Sequence, residues 1–132
     1  MVRHTLIATA FMIMFSAYTP TSAAAPQSAV PETVMVTYHA KPGSEAALAN
    51  AIARQWAAAT RLKLVLETPH TLVRGTEDGN TYFVEIFTWR DGNIPDAPPA
   101  AIQKIWAEMN QLVESQSGKP GIHFTAVSVV AQ

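Results

Sequence analysis

A chain of 132 residues, 48% of them hydrophobic and 14% charged, can build one small domain and no more. Its nine basic and ten acidic residues are dispersed, so nucleic acid and anionic membrane surfaces are poor partners. The absence of cysteine excludes disulfides, thiolate nucleophiles, thiolate metal ligands and a lipoprotein attachment site.

The N-terminus has the three-part layout of a secretory signal peptide. Met1-Val2-Arg3-His4 is a short basic start, Leu6 to Tyr18 an apolar run, and Thr21 to Ala25 supplies small residues. The run is too short for a comfortable membrane span, which leaves an uncleaved anchor as the weaker alternative. Cleavage after Ala23 or Ala24 is expected, giving a signal over 1–24 and a periplasmic or secreted product. Losing Arg3 leaves 9 − 1 = 8 basic against 10 acidic residues, a net charge near −2. Residues 25–32, with Pro26 and Pro31, read as a tether, and 33–132 as the domain.

Thr33 to His39 reads as a first strand, with Val34, Val36 and Tyr38 on one face and Met35, Thr37 and His39 on the other. Lys41-Pro42-Gly43 turns the chain and Ser44 caps a helix carrying Leu48, Ile52, Trp56 and Ala59 on one stripe. That helix is expected to end near Thr60 to Leu62. Lys63 to Pro69 fits either a strand or a helix end folding back. His70 to Thr76 reads as a strand, Glu77-Asp78-Gly79-Asn80 as a hairpin turn, and Tyr82 to Trp89 as a central strand. A second helix is expected with Asp96 or Ala97 as its cap and Pro98 and Pro99 in its first turn. Its apolar stripe is Ile102, Ile105, Trp106, Met109, Leu112 and Val113, and Gly118, Pro120 and Gly121 stop it. His123 to Val130 closes the domain as a strand.

The order β-α-β-β-α-β defines an α+β, ferredoxin-like sandwich. Two helices cover only one face of such a sheet. The central strand is apolar on both sides, Tyr82, Val84 and Ile86 on one and Phe83, Phe87 and Trp89 on the other. Contiguous apolar surface of that kind usually marks an interface, so a sheet-to-sheet homodimer is expected.

Three histidines of the mature chain, His39, His70 and His123, lie near strand ends without the spacing of a metal site, so no metal is expected. His39 or His70 could act as a general base, because imidazole titrates near neutral pH. Glu85 sits mid-strand among aromatic residues, where a charge is costly unless paired. Its partner across the hairpin would be Arg74, as a cross-strand ion pair; the alternative is a carboxylate of raised pKa facing a pocket. Trp56 and Trp106 lie on helical stripes and read as core, whereas Trp89, at a strand exit, reads as a pocket wall. Phosphate loops, nucleophile elbows and carboxylate metal clusters are absent from the sequence.

Val34 to Gly43 leading into a helix, Tyr82-Phe83-Val84-Glu85-Ile86-Phe87-Thr88-Trp89-Arg90, the Ile105-Trp106-Ala107-Glu108-Met109 helix and the closing strand resemble the antibiotic biosynthesis monooxygenase-like family. The resemblance covers nearly the whole mature chain. It implies a dimeric α+β barrel and an oxygenase that needs neither metal nor flavin. In that chemistry an electron-rich phenol or enol enters an apolar pocket, a base removes a proton, and the anion reacts with oxygen. The implied catalytic residues are His39 or His70, with Glu85 in support; the implied substrate-binding residues are Tyr38, Arg74, Phe87 and Trp89. Haem-degrading relatives carry an asparagine on the first strand and a histidine on the second helix. This chain has Val36 and Trp106 near those places, which disfavours haem degradation. The competing readings are a non-catalytic module for a small hydrophobic ligand and a purely structural dimer. Catalysis requires a base inside the cavity, binding only the apolar walls.

Overall fold

The computed structural model describes residues 29–132. The expected signal peptide and the first part of the tether lie outside the described residues. Four strands form an antiparallel sheet in the order β2-β3-β1-β4. They are β1 (Glu32–His39), β2 (Val65–Glu77), β3 (Asn80–Trp89) and β4 (Ile122–Ala126), with helices α1 (Glu45–Arg61) and α2 (Ala100–Leu112) packed against one face. This is the ferredoxin-like arrangement expected from the element order. Among the described residues, no helix is long and apolar enough to cross a membrane.

The helix-covered face takes every second residue of the central strands. Val34, Val36 and Tyr38 of β1 and Phe83, Glu85, Phe87 and Trp89 of β3 are all buried there. Leu48, Ala51 and Ile52 of α1 and Ile102 and Met109 of α2 close over them. Full burial of a large apolar side chain contributes about 1.5–3 kcal/mol, so this layer supplies most of what holds the sheet to the helices.

Local chemistry sets the boundaries. The β2–β3 hairpin turns at Asp78 and Gly79, both at positive φ (51° and 78°), the two-residue turn whose twist matches its strands. Lys63 to Pro69 resolves as strand from Val65 onward. The pairing of β2 with β3 is irregular between Val65 and His70, where Pro69 has no amide to give, and resumes with His70 opposite Phe87. Ser44 occupies the cap position of α1 but makes no side-chain capping bond.

Three boundaries differ from expectation. Helix α2 starts at Ala100 with Pro99 at its cap position, while Asp96 closes a short 3₁₀ turn, Ile94–Asp96. Ala97 and Pro98 each precede a proline and are pushed out of the helical region, so the helix cannot begin at either. It ends at Leu112, well before Gly118, because Val113 turns extended and bridges to Ala40. Strand β4 stops at Ala126: the Val127 amide still reaches the Thr33 carbonyl, but β1 begins at Glu32 and leaves the rest of the tail unpaired.

Candidate functional site

A cavity of about 570 Å³ opens between the helix-covered face of the sheet and α2. Its walls are mainly apolar, with Tyr38, Phe87, Trp89, Trp106 and Phe124 as the aromatic members. Phe124, on edge strand β4, is 69% exposed at the rim, because neither helix extends over it. Phe87 and Trp89 meet edge to face at 4.9 Å, and Trp89 meets Trp106 the same way at 6.3 Å, a geometry that fixes the wall. Tyr38, Phe87 and Trp89, three of the residues expected to contact a ligand, all line this cavity.

A polar chain of side chains runs behind this wall. The Tyr38 hydroxyl donates to Glu85 Oε1 at 3.0 Å. Gln55, buried on α1, turns its amide nitrogen to Glu85 Oε1 at 3.3 Å and to the Tyr38 oxygen at 3.4 Å. Its carbonyl accepts the indole N–H of Trp106, which settles the amide's orientation. On the far side His70 Nε2 lies 3.1 Å from Glu85 Oε2. The His70 ring stacks flat on Trp56, with centroids 3.6 Å apart, so one of its faces is shielded while 26% of the side chain reaches solvent.

Glu85 is fully buried. Burial pushes its carboxyl pKa up, and the hydrogen bonds from His70 and Tyr38 pull it back in part. The Tyr38 phenol is pushed well up, chiefly by burial and then by the neighbouring carboxylate, so it stays protonated. The arrangement is a carboxylate poised to accept a proton, with a phenol between it and the cavity.

Other expected site residues sit elsewhere. Arg74 does not pair with Glu85, because the hairpin register places it opposite Phe83 and puts Leu72 opposite Glu85. The Arg74 guanidinium lies 5.9 Å over the Phe83 ring and donates to Thr81 Oγ1, away from the cavity lining. His39 is buried but follows Tyr38 by one residue, so it points to the opposite face of the sheet, 6.3 Å from the Tyr82 ring. It joins neither the cavity nor the Glu85 network. His123 is exposed and contacts Thr125. Among the described residues, no three His, Cys, Asp or Glu side chains converge as a metal ion would need.

Two participants escaped the sequence reading. Gln55 falls on the stripe Leu48, Ala51, Ile52, Gln55, Ala59, and a buried polar residue on an apolar stripe was the available signal. Trp106 read as core; it is part core and part cavity wall, with its N–H spent on Gln55.

No protein-family model matches the chain, and no curated protein sequence does. Solved structures do match in fold. A Pseudomonas aeruginosa protein, PA3566, superposes with a TM-score of 0.57 at 18% identity, covering 79% of this chain and 98% of its own. A candidate antibiotic biosynthesis monooxygenase from Chloroflexus aurantiacus gives 0.54 at 14% identity, covering 78% and 98%. SnoaB, a cofactor-independent oxygenase from Streptomyces nogalater, gives 0.52 at 16% identity, covering 77% and 94%. The chain therefore has the fold of antibiotic biosynthesis monooxygenase-like proteins.

Proposed function

We propose that the protein is an exported, cofactor-independent monooxygenase-like enzyme that takes a small aromatic or quinol-type compound into the cavity beside Tyr38. The observation that carries this reading is the bond from Tyr38, on the cavity wall, to the buried Glu85 carboxyl. A phenol or enol bound there gives its proton to the Tyr38 oxygen as the Tyr38 proton moves to Glu85 Oε1. The negative charge that Glu85 carried then sits on the substrate, where it makes the ring electron-rich. An enolised ring methylene bonds one atom of dioxygen; the O–O bond breaks as the second methylene proton leaves. A ketone and water result, and the substrate supplies all four electrons. The protein contributes desolvation, orientation and the proton acceptor. SnoaB is a cofactor-independent oxygenase on the same fold, which supports the choice of reaction type.

The test is oxygen uptake with an anthrone-type substrate, in wild type and Tyr38→Phe. Turnover that Tyr38→Phe abolishes while ligand binding persists is the expected result. Binding without oxygen uptake in wild type selects the second reading, a periplasmic module for a small hydrophobic ligand. One observation favours that second reading: none of His39, His70 and Glu85 itself lines the cavity.

Homodimerisation through the uncovered sheet face belongs to the same proposal. Met35, Tyr82, Val84 and Ile86 are only half-buried there, and Val73 is 51% exposed. Native mass spectrometry of the mature protein reads subunit number and retained ligand together.

A further inference from the structure

We propose that the cavity admits aromatic hydrogen-bond donors without negative charge and rejects aromatic carboxylates of the same shape. This rests on reading the cavity as the ligand site and goes further by assigning the charge class. Among the described residues, the lining includes two carboxylates, Glu32 and Asp96, and no lysine, arginine or histidine. Glu32 is partly buried and Asp96 exposed, and among the described residues neither takes part in a salt bridge. A third carboxyl, Glu85, lies directly behind the Tyr38 wall. His70 is the nearest basic group, and it meets Glu85 through Oε2, whereas Tyr38 bonds Oε1.

The hydrogen-bonding capacity of the floor points the same way. Tyr38, a lining residue, has spent its only proton on Glu85, so its oxygen can meet a ligand only as an acceptor. The Gln55 amide hydrogens go to Glu85 and Tyr38, and its carbonyl is taken by Trp106. Asn110, exposed at the rim, is the remaining lining amide. An incoming O–H or N–H therefore finds an acceptor. An incoming carboxylate finds no cation, few donors and like charges, in an apolar space where such repulsion is poorly screened.

Calorimetric titration of the mature protein with 2-naphthol, 2-naphthylmethylammonium and 2-naphthoate at neutral pH tests this. The naphthol and the ammonium are expected to bind, with naphthoate weaker on the order of tenfold. Glu32→Gln combined with Asp96→Asn should lower the naphthol-to-naphthoate affinity ratio several-fold. In unaltered protein, raising the salt concentration should lower the same ratio, which needs no variant to fold. Naphthoate binding as tightly as naphthol overturns the charge assignment and leaves the cavity standing. If none of the three probes binds, the cavity reading falls with it.

Discussion

Glu85 and His39 are both polar side chains buried in the central strands of one sheet, on opposite faces, and their surroundings differ sharply. Glu85 has three side-chain partners, Tyr38, Gln55 and His70. His39 has a ring nitrogen, Nδ1, that is buried without a hydrogen-bond partner among the described residues. Leaving a buried polar atom unmet costs about 1–3 kcal/mol, while a satisfied network is expensive only to break. The helix-covered face is thus built around its polar group, whereas the other face merely tolerates one.

The sharpest way to break this comparison is to remove each group in turn. Glu85→Ala strips partners from three buried or half-buried side chains and should cost about 3–5 kcal/mol in chemical denaturation. His39→Leu removes an unmet nitrogen and keeps the bulk, so it should change stability by less than about 1 kcal/mol. Equal losses would contradict the contrast. Trp106→Phe keeps most of the cavity wall but orphans the Gln55 carbonyl, an expected loss of about 1–3 kcal/mol. Gly75→Ala probes the uncovered face. A Cβ there would lie 2.3 Å from the Tyr82 ring, which covers the glycine, so the ring must move aside. The expected cost is about 1 kcal/mol, because Tyr82 is only half-buried and has room to shift.

The pH dependence of stability follows from the direction of the Glu85 shift. Its folded pKa lies above the ordinary carboxylate value, so the native state keeps a proton that the unfolded chain has released. Its contribution is full below the ordinary carboxylate range and is lost as pH rises through its own elevated range. Glu85→Gln should remove that fall, leaving a flatter profile than wild type over the same window.

The alternation of Val34, Val36, Tyr38 and of Phe83, Glu85, Phe87, Trp89 already contained the strands, their buried face and three cavity residues. The turn Glu77-Asp78-Gly79-Asn80 already fixes the hairpin register, which puts Leu72 and not Arg74 opposite Glu85. Long-range pairing was not legible: Tyr38, a sequence neighbour of His39 on the opposite face, reaches Glu85 across 47 residues. Gln55 was visible as a polar interruption of an apolar stripe, but its role needed the second helix to bring Trp106 against it. Pro98 and Pro99 suit a first turn by their own φ, but their effect on the preceding residues dominates and delays α2 to Ala100.

Glu85, a buried carboxyl bonded to the cavity-lining Tyr38, is the centre of the proposed site. Selective ¹³C labelling of glutamate and titration of the Glu85 carboxyl resonance tests this directly. The predicted result is a titration above the ordinary carboxylate range that moves higher still in His70→Ala, and to a smaller extent in Tyr38→Phe, since each substitution removes a hydrogen bond that favours the ionised form. A carboxyl that titrates in the ordinary range, or is indifferent to both substitutions, would contradict it.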